Sequence, residues 1–234
     1  MRLALALALL ASPALAQDPG LATVTQPPPL AKNVDTYPRI VGNTPAIARI
    51  NAKLAEADQR LADQVAECLR VENGAVENAV TVTLNGSGFL SILVQNWEYC
   101  GAAHGWGTTD PMIFDLNTGT EIEPMQLLPK NLIPPPDPDP AHSDPDLTIM
   151  NLWQLRGLYL DHLDTVTYDE CIEAVKDRNY SFLLWPDAGR HALIIVPDGM
   201  AYIDTPCMNE VAIPVGTLLE LHFNPRLIAA LAAD

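Results

Sequence analysis

The chain has 234 residues, with 29 acidic against 13 basic side chains, a net charge of −16 and 48% hydrophobic residues. Such a surface excludes nucleic acid as a partner, because phosphate binding depends on Lys and Arg neutralising charge and releasing counterions. Two readings of the acidity stay open: attraction to a basic protein or other cation, and plain solubility.

Met1-Arg2 is a short positive start, Leu3 to Leu10 is an unbroken Leu/Ala run, and Ala14-Leu15-Ala16 is a small-x-small cleavage site before Gln17. Together they read as a secretory signal peptide over residues 1–16. The run is too short to stay in a bilayer as a helix, and no later stretch approaches the roughly 20 apolar residues a span needs. No cysteine follows the cleavage site, so no lipoprotein anchor is expected there. Loss of the leader removes one arginine and no acid, leaving 218 residues with a net charge of −17. A periplasmic or secreted protein without a membrane span is expected.

Residues 17–36 are rich in Pro, Thr and Ala and lack periodicity, so they read as an extended segment ahead of a single domain over 37–234. From Pro45 to about Arg70, Ile47, Ile50, Leu54, Ala57, Leu61, Val65 and Cys68 recur at steps of three and four, which predicts an amphipathic helix. Asn43 or Thr44 suits its cap and Pro45 its first position. Val80–Leu84 and Phe89–Trp97, separated by Asn85-Gly86-Ser87-Gly88, predict an antiparallel hairpin. Gly101–Gly107 is too rich in Gly and Ala for a strand interior and reads as a bend. Met112–Leu116 and Thr120–Pro124 around Asn117-Thr118-Gly119 predict a second hairpin.

Residues 129–146 carry seven prolines interleaved with aspartates, a run expected to be extended and solvated, joining subregions 37–128 and 147–234. It lacks the Gly and terminal Glu of an EF-hand loop, so no calcium site is read there. Leu147–Leu163 and Tyr168–Lys176 then read as helices, Ser181–Trp185, Ala192–Val196 and Val211–Pro214 as strands, and Leu218–Ala233 as a terminal helix or two interrupted at Asn224-Pro225. Helices and hairpins in blocks, rather than strict βαβ units, give an α+β fold class.

Cys68, Cys100, Cys171 and Cys207 are an even set in an oxidising compartment, so two disulfides are expected. Their spacing does not resemble zinc-ligand pairs, and no metal or cofactor is expected. Of three possible connectivities, Cys68 with Cys100 and Cys171 with Cys207 is preferred, since each pair falls on one side of the proline-rich break.

Leu90-Ser91-Ile92, Tyr99-Cys100-Gly101-Ala102-Ala103-His104 and Phe114-Asp115-Leu116-Asn117-Thr118-Gly119 resemble an extracytoplasmic domain family of unknown function. That family is found in the lysozyme-sensing anti-sigma factor of Gram-positive bacteria and attached to some peptidoglycan deacetylases. Met125-Gln126-Leu127-Leu128, Ile194-Ile195-Val196-Pro197 and Val211-Ala212-Ile213-Pro214 also resemble its segments. The resemblance covers residues 37–223 and is strongest from 88 to 128. It implies helices over antiparallel sheet and a role in binding rather than catalysis. The chain shows no anti-sigma segment, so regulation of transcription is not carried over.

His104 is the candidate site residue to test first, since it falls in the bend near Trp106, although a histidine that only fixes the turn fits the same sequence. Trp97 and Tyr99 share a strand face by alternation. With Trp106 they are expected to offer a surface for sugar rings or a partner loop, the alternative being burial in the core. Ser87 in Asn-Gly-Ser-Gly-Phe is not a nucleophile elbow. His142, His162, His191 and His222 lack metal-ligand spacing, and Glu170, Glu173, Asp177 and Asp187 form no pair that sequence can select. The expected function is an exported envelope-associated binding module for a cationic protein such as lysozyme, or for peptidoglycan. The alternative is an envelope hydrolase using His104 with an acidic partner.

Overall fold

Helix α1 (Pro45–Cys68) forms where the apolar steps place it. Thr44 is its cap, the hydroxyl accepting from the Ile47 amide at 3.2 Å, and Pro45 occupies a first-turn position that needs no amide hydrogen. Ile50, Leu54, Ala57, Leu61, Val65 and Cys68 make one buried stripe. In this computed structural model the described residues are 21–133, 153–163, 169–177, 180–200 and 202–233. The signal peptide at 1–16, most of the Pro/Asp run and the predicted start of the helix at Leu147 lie outside them.

The α1 stripe covers one face of an antiparallel sheet of β3 (Ala75–Gly86), β4 (Phe89–Tyr99) and β5 (Trp106–Asp115), in the order β3-β4-β5. The first hairpin turns at Ser87 and Gly88, both at positive φ (48° and 87°), the geometry whose twist suits a two-residue connection. β3 is longer than its apolar run predicts. Ala75–Ala79 is too polar to read as a strand alone, but it pairs with Gln95–Tyr99 beside the Cys68–Cys100 bridge. A register shift between Val82 and Leu84 turns Leu84 to the opposite face of the sheet.

Two expectations are corrected here. Trp106 and Gly107 belong to β5, which begins six residues before the predicted strand; only residues 101–104 are bends. Gly105 and Gly107 hid the start of this strand, and Pro111 within it is tolerated because β5 is an edge. The second hairpin has no return strand, only one bridge from Phe114 to Glu121. After it, Glu123 and Gln126 cap each other's backbone around Pro124, and a 3-10 turn over Pro124–Leu127 drops Leu127 into the core instead.

From residue 21 onward the proline-rich lead-in is tied down. β1 (Val24–Thr25) pairs with β2 (Arg39–Ile40), and Val34 is buried beside Asn78. A second antiparallel sheet has the order β6 (Ser181–Asp187), β7 (Ala192–Asp198), β8 (Val211–Pro214). Phe182, Leu184, Leu193, Ile195 and Ile213 form one core with helices α2 (Trp153–His162), α3 (Asp169–Asp177), α4 (Val215–Glu220) and α5 (Pro225–Ala232). Leu84, Phe89 and Ile113 of the first sheet enter that same core, while Leu93 packs on Trp185, Ala192 and Ile194. β6 touches all three strands of the first sheet, and the Ala188 amide donates to the Thr83 carbonyl at 2.8 Å. The fold is α+β, as expected. The disulfides are Cys68–Cys100 and Cys171–Cys207, and no described helix is long and apolar enough to cross a membrane.

Candidate functional site

Alternation along β4 sends Leu90, Ile92 and Val94 toward α1, where they pack against Ile50 and Leu54. The same alternation then sends Asn96 and Glu98 the same way, and the lining changes from apolar to polar. Register sets the rows: Asn78 opposite Asn96 opposite Thr108, Val76 opposite Glu98 opposite Trp106, and Val80 opposite Val94 opposite Asp110. Over these rows α1 places Ala57, Arg60, Leu61 and Gln64. The result is a cleft of about 510 Å³, completed by Tyr37 and Glu121.

Its floor is short of donors. Asn78 is 5% exposed, and the buried Oδ1 atoms of Asn78 and Asn96 have no hydrogen-bond partner. An unsatisfied buried acceptor costs about 1–3 kcal/mol; the indole Nε1 of the fully buried Trp185 also lacks a partner, but it lies in the second core, away from the cleft. The walls carry Glu98, Asp110 and Glu121 against one cation, Arg60, whose Nη1 is 2.8 Å from Glu56 Oε1. Gln64 donates to Glu98, and the Thr108 hydroxyl donates to Asp110 at 3.2 Å. Shielding from solvent pushes the Asp110 carboxyl above the usual carboxylate range; the Thr108 bond works against this and the Asp198 charge adds to it. Burial likewise pushes the Tyr37 phenol up, and Asp110 repels the phenolate further.

The opposite face of the sheet carries a second cavity of about 430 Å³, where Gln95, Trp97 and Thr109 meet Asp198, Met200 and Met208. Trp97 lies across Gly105, where a Cβ would come within 2.4 Å of the indole. Among the predicted residues, Trp97 and Tyr99 share this face. Trp106 does not: paired with Glu98, it belongs to the α1 face and edges both cavities, 49% exposed. His104 stands exposed on the bend and lines neither; its Nδ1 donates to the Gly105 carbonyl at 3.0 Å. The scattered histidines and acids also make local contacts: His162 and His191 reach the Leu158 and Leu231 carbonyls, and Asp187 holds Arg190.

Asn78, Glu98 and Asp110 were not singled out by the sequence. Asn96 and Glu98 carried a usable signal, since polar residues continue the inward-facing positions of an apolar strand. Asn78 and Asp110 lie on strand segments that only pairing reveals.

Fold and site together define a disulfide-braced α+β protein whose main cleft is built to accept hydrogen bonds. No family model matches the chain, and no curated protein is similar to it in sequence. Two solved structures of the DUF3298 family are similar in fold. The one from Bacteroides fragilis is 16% identical, with 83% of this chain and 76% of that one aligned at a TM-score of 0.49. The one from Pseudomonas aeruginosa PAO1 is 15% identical, with 89% and 94% aligned at a TM-score of 0.46.

Proposed function

We propose that this protein is an exported binding module of the cell envelope that grips a basic protein, with lysozyme as the first partner to test. The observation that carries the reading is the cleft under α1, where Glu98, Asp110 and Glu121 face one arginine already engaged by Glu56, in a chain of net charge −16. Opposite fields of this kind speed encounter and select partners of opposite sign. A hydrolase built on His104 gains no support from geometry, because that side chain faces solvent outside both cavities.

The test is titration of the mature protein with lysozyme at low and at moderate salt. A complex at low salt that weakens as salt rises is expected, since screening shortens the reach of surface charge. No complex at low salt removes lysozyme. Co-sedimentation with purified peptidoglycan is the companion measurement, and retention there alone moves the reading to the glycan. Osmotic-shock fractionation checks the address.

A further inference from the structure

We infer that the cleft between α1 and β3–β5 is a socket for one arginine side chain of the partner, with the guanidinium on the Asn78–Asn96 row and its plane against Trp106. The inference rests on the reading of this cleft as the partner-facing surface. It goes further by naming the group that enters.

Three observations select that group. The first is sign: the acids of the walls outnumber the single Arg60, and Arg60 is held at the rim by Glu56. An anion is therefore repelled and a cation drawn in. The second is the pair of buried acceptors. Asn78 and Asn96 are register partners on adjacent strands, and both side-chain oxygens lack a donor. A small movement of either amide would present its oxygen to an incoming N–H group, relieving the penalty of an unmatched acceptor. Third is the half-exposed indole of Trp106, paired with Glu98 at the mouth.

Among cations, the arrangement favours guanidinium. Acceptors are spread along a strand row with carboxylates on either side, which suits five donors fixed in one plane better than the compact three of an ammonium. Guanidinium also stacks on an aromatic face at less desolvation cost. A divalent metal is a poorer occupant, since no group of three or more His, Cys, Asp or Glu among the described residues is placed to hold one. A cavity of about 510 Å³ accommodates one extended arginine side chain.

The experiment uses the mature disulfide-bonded chain and three capped tripeptides, Gly-Arg-Gly, Gly-Lys-Gly and Gly-citrulline-Gly, followed by amide chemical-shift titration. The arginine peptide is expected to shift amides of residues 57–64, 76–78 and 96–110, and to bind at least tenfold more tightly than the neutral citrulline peptide and severalfold more tightly than the lysine peptide. Trp106→Ala, which removes a surface side chain, and Glu98→Gln are each expected to weaken the arginine peptide severalfold, with circular dichroism confirming the fold. Equal binding of arginine and citrulline, or shifts confined elsewhere, overturns the socket. If lysozyme binds but the arginine peptide does not, the socket fails and the basic-partner reading stands. If the arginine peptide binds at the cleft but lysozyme does not, the socket stands and lysozyme is removed.

Discussion

Arg226, in α5, reaches Asp115, the last residue of β5, with Nη1 3.1 Å from the carboxylate Oδ2. The two lie 111 positions apart, and the guanidinium carbon also stands 5.0 Å over the Phe89 ring. One side chain therefore ties the end of the chain to the strand whose other end lines the cleft. Burial pushes the Asp115 carboxyl up, but the amides of Asn117 and Thr118 together with Arg226 outweigh it, and the net value falls below the usual range.

Arg226→Ala is expected to cost about 1 kcal/mol near neutral pH, kept small by the exposure of the arginine. The pH dependence follows from the depressed carboxyl: its contribution is present above the unfolded value of about 3.9 and is lost as pH falls toward the lower folded value. Urea midpoints should thus separate wild type from variant at neutral pH and converge as pH falls through the depressed folded value. A difference independent of pH would leave only packing on Phe89.

Gly119 is expected to tolerate no side chain. It sits at φ 70°, its amide donates to the Asp115 carbonyl at 2.7 Å, and an added Cβ would fall 2.2 Å from the Ala46 carbonyl oxygen in the first turn of α1. Gly119→Ala combines left-handed strain with a backbone collision, and a loss of about 2 kcal/mol or more is expected. Thermal melts check this, and an unchanged midpoint would mean that the start of α1 yields freely.

What the sequence made legible follows the range of the interaction that decides each element. α1 and its Pro45 start, the turn before Phe89 and the strand Val211–Pro214 are written in local pattern, and each forms where that pattern puts it. Ala75–Ala79 and Trp106–Pro111 become strands only through pairing with β4, so their Gly, Pro and polar content misled a local reading. The cleft depends on the same pairing. Trp106, read from sequence as part of a bend, takes its face from Glu98 across the ladder, not from its neighbours in sequence.

Tyr159 is expected to govern part of the alkaline limit of stability. The residue is fully buried against the second sheet, its hydroxyl donates to the Asn209 carbonyl at 3.1 Å, and burial pushes the phenol up to about 12 despite that bond. A folded value above the unfolded one, about 10, means the contribution is complete below pH 10 and disappears as pH rises toward 12. Tyr159→Phe should cost about 1 kcal/mol at neutral pH through the lost bond and should flatten the alkaline decline. Denaturation at pH 8 and pH 11 measures both, and parallel curves would remove Tyr159 as a cause.

The two disulfides separate stability from the site. Each closes a loop of similar length, with sequence separations of 32 and 36, so each is expected to contribute about 3–4 kcal/mol by restricting the unfolded chain. Their positions differ. Cys68 ends α1 and Cys100 follows β4, so this bridge joins the two walls of the acceptor-lined cleft, whereas Cys171 and Cys207 join α3 to the 3-10 segment Tyr202–Cys207 and line no part of that cleft. Replacing either pair by alanine should lower the melting temperature by a comparable amount. Only the Cys68/Cys100 pair should also weaken the arginine peptide, because freeing the end of α1 lets Gln64 drift from Glu98 and opens the cleft. Equal loss of binding in both double variants would show that the cleft answers to global stability rather than to the staple at its edge.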